Sequence, residues 1–185
     1  MEKTKTKSKI EIRDICYIAI FTAIIAVMAQ ISIPLPGGVP LTLQTLAVPL
    51  AGIILGAKRG TMSTIIYILL AMAGVPVLAG FSGGAGVVFG VTGGFIISFP
   101  IMALISGLVA NKGMKSIVYW LGLLGGVLIN YLIGTIWFMF VAEASFVYGL
   151  TACVVPFIPT AIIKLILSGV FGDRIKKSLV KAGLL

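Results

Sequence analysis

Apolar runs of roughly membrane-spanning length follow one another along this chain, and its cations gather in alternate gaps between them. The runs cover approximately residues 12–33, 41–57, 61–75, 93–110, 116–140 and 156–175. A spanning helix needs roughly 20 apolar residues, so the second and third runs are short and their ends are the least defined. Lys3, Lys5, Lys7, Lys9 and Arg13 stand before or at the start of the first run, Lys58 and Arg59 between the second and third, and Lys112 and Lys115 between the fourth and fifth. Arg174, Lys176, Lys177 and Lys181 close the chain. The gaps after the first, third and fifth runs hold no Lys or Arg. Such alternation is the positive-inside signature. It predicts six spans with both termini cytoplasmic, because an odd number would strand one basic cluster outside.

With 59% hydrophobic and 10% charged residues, the composition is that of an all-α integral membrane protein rather than a soluble domain. We divide it into a basic cytoplasmic segment, 1–11, and a six-helix transmembrane domain, 12–185. The net charge of +9 is spread over short segments, with no basic helix or aromatic-interleaved patch, so the cations read as topology determinants and not as a nucleic-acid surface. The first run is longer than a signal-peptide core and leads into Pro34-Leu-Pro-Gly-Gly38 instead of a small-residue cleavage site, which predicts a retained helix. There is no His in the chain. That removes the commonest metal ligand and the commonest general acid or base; no catalytic or metal-ligating residues are expected. Cys16 and Cys153 fall at opposite membrane faces in this topology and are expected as unpaired packing residues.

One cation breaks the pattern. Lys164 lies inside the last apolar run, in Pro156-Phe-Ile-Pro159-Thr-Ala161-Ile-Ile-Lys164. Pro159 suits a first helical position, because its φ is preset and its missing N–H would have no intrahelical partner. The ammonium then sits about 7.5 Å, roughly one and a half turns, into a helix. An intramembrane lysine is tolerated where it faces a cavity or a partner and marks a candidate functional site. The alternatives are snorkelling to the interface or pairing with Glu143.

Other polar groups stand at suggestive depths. Pro34-Leu-Pro-Gly-Gly-Val-Pro40-Leu-Thr-Leu-Gln44 cannot be one helix and reads as a shaped external loop or a re-entrant segment leading into the second span near Thr42. Gln44 then sits at a helix end with an amide that donates and accepts, for a ligand or for water and backbone. Tyr67 is either a pocket or a core residue. The stretch 79–95 holds seven glycines and reads as a lid over an external pocket or as a tightly packed loop between short helices; it lacks the Gly-Lys-Ser/Thr of a nucleotide loop. Asn130-Tyr131 is a polar pair near mid-membrane, whereas Trp137 fits an interfacial anchor. Ala19-x-x-x-Ala23, with Ala26 nearby, makes a small-residue helix face open to close approach by another helix.

The succession Pro40-Leu-Thr-Leu-Gln44-Thr, Tyr67, Gly74-Val-Pro-Val-Leu-Ala-Gly80, Gly90-Val-Thr-Gly-Gly-Phe95 and Pro156-Phe-Ile-Pro-Thr-Ala-Ile-Ile-Lys164 resembles the BioY family from about residue 12 to the end. Its members are biotin-specific substrate-binding subunits, or S components, of energy-coupling-factor (ECF) transporters. The resemblance implies six membrane helices, Gly/Pro-rich external loops over a site in the outer half of the membrane, and high-affinity capture of biotin for an ATP-driven importer. By the same resemblance Lys164 faces the biotin carboxylate, and with Gln44, Tyr67, Asn130, Tyr131, Gly84 and Thr92 it makes up the candidate substrate-binding set. Ala19, Ala23 and Ala26 correspond to the contact with the transmembrane coupling subunit, beside which two ATPase subunits work. The resemblance also implies release by toppling of the subunit in the membrane. No cofactor is expected, only biotin as cargo.

Two positions depart from the family pattern. Ala161 stands where an aspartate is usual and Val91 where the loop usually has proline, leaving Asn130, Gln44 and Glu143 as groups able to compensate. The competing reading is a stand-alone secondary transporter or facilitator for a small carboxylate. Ion coupling ordinarily needs an intramembrane carboxylate, and Glu143 alone approaches that position. Neither an inverted repeat nor the residues for a membrane enzyme are seen.

Overall fold

The computed structural model describes residues 11–35 and 37–185; Lys3, Lys5, Lys7, Lys9 and Pro36 lie outside the described residues. The first long helix, α1 (Ile12–Gln30), starts where the Asp14 carboxylate accepts the Glu11 N–H at 3.3 Å. Its inward stripe is Ile18, Thr22, Ile25 and Ala29, and Ile12, Ile15, Ile20 and Val27 point outward. Exposed aliphatic side chains of this kind ring the molecule, as a helix bundle in lipid requires.

A two-stranded antiparallel hairpin follows, β1 (Ser32–Ile33) paired with β2 (Leu41–Thr42). It leads directly into α2 (Gln44–Met72), which breaks at Gly56, where φ is 82° and ψ 172°. Beyond the break the chain reverses: Gly60 lies so close to Gly52 that a Cβ would fall 2.7 Å from the Gly52 Cα. The expected second and third spans are therefore the two arms of this element, 44–55 and 57–72. The turn lies at Gly56, ahead of Lys58 and Arg59, because glycine alone tolerates that backbone; Gly60 serves packing. The first arm is about 18 Å long, well short of about 30 Å of hydrocarbon. Apart from half-buried Leu50 it is buried from Ala47 to Leu55, which puts it at the centre of the bundle.

The chain then passes through two short helices, α3 (Ala85–Val88) and α4 (Gly93–Ile97), into α5 (Phe99–Val109). The fourth span is α4 and α5 together, with a break at Ser98. The fifth is α6 (Ile117–Val141). Next comes α7 (Phe146–Cys153), a short helix the apolar pattern does not predict, whose N-terminal Tyr148 N–H is accepted by Ser145 Oγ at 3.3 Å. The last span, α8 (Ile158–Lys181), carries Pro159 in its first turn, as expected, and runs on past the apolar run into the basic tail.

The charged segments converge at one end of the bundle. Arg59 pairs with Asp14 at 2.5 Å and lies over the Tyr17 ring; the Tyr17 hydroxyl donates to the Leu184 carbonyl; Lys176 donates to Asn111 Oδ1 at 2.7 Å. The hairpin, α3 and α7 lie at the other end.

Glycines set the helix spacing. Phe95 covers Gly134 while Trp137 covers Gly94, so α4 and α6 interlock through reciprocal aromatic-on-glycine contacts. In the same way Gly107 of α5 meets the turn after Gly56: a Cβ there would fall 2.3 Å from the Ala57 backbone nitrogen. Gly107→Ala is expected to overpack this contact at a cost of about 1–3 kcal/mol, whereas Gly125→Ala, whose added methyl meets nothing within 4 Å, should be neutral or slightly stabilising. Thermal unfolding of the two variants in detergent checks this; equal midpoints would rule out the close contact.

Candidate functional site

A cavity of about 270 Å³ opens at the end of the bundle away from the termini, near the lower limit of small-ligand sites. Segments from along most of the chain close around it. The hairpin gives Gly38, Val39, Pro40 and Thr42; the start of α2 gives Gln44 and Thr45; the glycine-rich stretch gives Ala79, Ser82, Gly90 and Thr92. Phe95 and Phe99 with Tyr131 form an aromatic side, and Cys153, Phe157 and Lys164 complete the wall.

Lys164 is the one charged residue on that wall. It is 8% exposed, so it does not snorkel. Its Nζ donates to the Thr42 carbonyl at 2.6 Å and to Thr45 Oγ1 at 3.2 Å. Among the described residues the ion pairs are Arg59–Asp14 and Lys177–Asp173, so Glu143 is not its counter-ion. An ammonium has three N–H groups, and two are committed. The third, together with an uncompensated positive charge in low dielectric, makes the wall attractive to one anionic group.

The remaining candidates divide. Gln44, Tyr131 and Thr92 share the wall with Lys164. Tyr67, Asn130 and Gly84 do not reach it, and each is spent on structure. Tyr67 is fully buried behind Gln44, whose Nε2 lies 2.6 Å from its hydroxyl. Asn130 donates through Nδ2 to the Phe95 carbonyl at 2.9 Å and to Ser98 Oγ at 2.7 Å, tying α6 to the break between α4 and α5. Gly84 precedes α3 with φ 97° and anchors it through an N–H bond of 2.7 Å to the Ala71 carbonyl.

Trp137 is no free interfacial anchor: its Nε1 donates to the Gly90 carbonyl at 2.9 Å and pins the glycine-rich stretch to α6. That stretch is both a packed connection and part of the cavity wall. The sequence pattern does not mark Thr45, Phe157 and Cys153 as wall residues. Thr45 adjoins Gln44 at a helix start and was findable; the apolar wall residues carry no signal in a chain where apolar residues are everywhere.

The sequence profile of the BioY family matches residues 2–181. The chain belongs to the BioY family. Curated BioY relatives cover nearly its whole length. A probable biotin transporter BioY of Pyrococcus horikoshii is 42% identical over 166 residues, spanning 89% of this chain and 96% of the relative. The biotin transporter BioY of Thermotoga maritima is 38% identical over 165 residues, again 89% and 96%. The biotin transporter BioY of Rhodobacter capsulatus is 34% identical over 176 residues, 88% and 93%. Among solved structures, the S-component for biotin from an ECF-type ABC transporter superposes with a TM-score of 0.80 at 32% identity, covering 93% of this chain and 95% of that one. The expected fold, a multi-pass helical bundle of a transporter family, stands. Of the two departures from the BioY pattern, Val91 is on the cavity wall and Ala161 is not.

Cysteine reactivity follows exposure. Cys16 is exposed and Cys153 is fully buried at the wall. In detergent, N-ethylmaleimide should modify Cys153 at least about tenfold more slowly than Cys16; peptide mass spectrometry reads the two rates, and equal rates would mean the cavity is open to solvent.

Proposed function

We propose that this protein captures biotin with high affinity as the S component of an ATP-driven ECF importer, acting as a carrier and not as an enzyme. The observation that carries the reading is the buried ammonium of Lys164, unpaired with any acid among the described residues and lining a cavity that loops border, in a member of the BioY family. A biotin carboxylate at the remaining N–H of Lys164 gains a charge-assisted bond and the favourable end of the α8 dipole. The aromatic and aliphatic side of Phe95, Phe99, Val39 and Phe157 suits the apolar part of the ligand. Gln44, Tyr131 and Thr92 line the site beside it, while Tyr67, Asn130 and Gly84 support it from behind.

The end bearing the cation clusters faces the cytoplasm, by the positive-inside rule, so the cavity opens outward in the cell membrane. Release inside depends on partners: a transmembrane coupling subunit and two ATPase subunits. The exposed Ala19 and Ala23, with half-buried Ala26, border an apolar groove between α1 and the second arm of α2, which suits close approach of a helix from the coupling subunit. The partner's movement would shift the equilibrium from the closed, loaded state to an open one.

Calorimetry with the purified protein should give submicromolar biotin binding, weakened at least about 30-fold in Lys164→Ala, since removing one partner of a buried charged bond costs about 2–5 kcal/mol. Unchanged affinity in the variant removes Lys164 from the site. Ala19→Trp should leave biotin binding intact and reduce co-purification with the coupling subunit; normal assembly would refute the α1 contact.

A further inference from the structure

Behind the cavity wall runs a line of hydrogen bonds whose directions follow from valence. The Val77 carbonyl only accepts, so the Tyr67 hydroxyl, 3.1 Å away, donates to it. That uses the one phenolic proton, and the Gln44 amide atom 2.6 Å from the same oxygen must therefore be the donor, Nε2. The amide oxygen Oε1 then points the other way, where Thr42 Oγ1 donates to it at 2.9 Å. The Thr42 carbonyl in turn accepts from Lys164 Nζ. The amide orientation is fixed from the Tyr67 side, and the Lys164 bond to the Thr42 carbonyl stands next to this line without being part of it.

That orientation matters because of what the wall lacks. The lining residues include no carboxylate, and Gln44 carries the one side-chain carbonyl among them. The hydroxyls of Thr42 and Ser82 donate to Gln44 Oε1 and the Ala79 carbonyl, Thr45 Oγ1 accepts from Lys164 Nζ, and those of Thr92 and Tyr131 remain beside Gln44 as hydroxyls that both donate and accept. Gln44 Oε1 retains a second lone pair.

We propose that Tyr67 is a positioning residue: it locks the Gln44 amide so that Oε1 stands as an acceptor on the same wall as the Lys164 donor, and so selects ligands bearing an N–H group as well as an anionic group. This rests on the cavity being the ligand site and identifies the ureido N–H of biotin as the group read there. Without the Tyr67 hydroxyl the amide is free to turn and present its NH₂, which repels an N–H donor.

Two measurements test the proposal. Tyr67→Phe should weaken biotin binding about tenfold, the worth of one hydrogen bond, while affinity for ureido-N-methylated biotin changes little, so that the preference between the two collapses. Equal losses for both ligands, or no loss for either, would overturn it in favour of a purely structural Tyr67. The second measurement needs no ligand. The chain has two glutamines, Gln30 and Gln44, so ¹⁵N-glutamine labelling yields two side-chain amide pairs, assigned with Gln30→Leu. In the wild type the Gln44 pair should be widely split and slow to exchange with water, and in Tyr67→Phe that protection should be lost. Fast exchange in the wild type overturns the proposal even if Tyr67→Phe does not fold. Absence of biotin binding by the folded wild type would instead sink the biotin reading, and the amide measurement would still decide the role of Tyr67.

Discussion

A peptide carbonyl left without a donor in hydrocarbon costs several kcal/mol, and this architecture follows from meeting that demand wherever the helices break. The bundle is interrupted after α1, at Gly56, between α2 and α4, at Ser98 and before α8. At many of these places a polar side chain from another helix supplies the missing donor. Gln30 donates to the Val77 and Leu78 carbonyls, Tyr67 to Val77, Trp137 to Gly90, Asn130 to Phe95 and Lys164 to Thr42. These bonds, long-range except for that of Tyr67, are the cross-braces of the bundle.

The same demand explains where the cavity lies. Irregular backbone at membrane depth is tolerated when it is buried in protein or lines a cavity. The first arm of α2 is too short to cross the bilayer, and the hairpin and glycine-rich stretch fill the space left at its end. Those two irregular segments are the ones that surround the site. Short helices and the cavity are two aspects of one arrangement, and the lysine near the start of α8 connects them by reaching back to β2.

Glycine does the complementary work. Where polar bonds hold the breaks, close backbone approach holds the helices: Gly52 against α5, Gly107 against the Gly56 turn, Gly134 under Phe95 and Gly169 under Trp120. Apolar attraction between helices is weak in lipid, so packing of this intimacy replaces the hydrophobic driving force of a soluble core.

Much of this was legible in the chain itself. Hydropathy length and the alternation of cations decide class, number of passes and which segments share an end, because lipid penalises charge and unpaired backbone whatever the fold. Lys164 pointed to the cavity on whose wall it lies buried, since an ammonium at that depth is costly. Pro159 marked the start of α8. The turn at Gly56 and the helix α7 needed the structure: a positive φ and an eight-residue helix leave little trace in periodicity. Above all, sequence alone did not separate Gln44 and Tyr131, which face the cavity, from Tyr67 and Asn130, which brace it. All four are polar groups at similar depths in apolar helices. Whether each offers its hydrogen bond to a ligand or spends it on a neighbouring carbonyl depends on which backbone breaks lie beside it, and those neighbours come from segments tens of residues away, brought together only by tertiary packing.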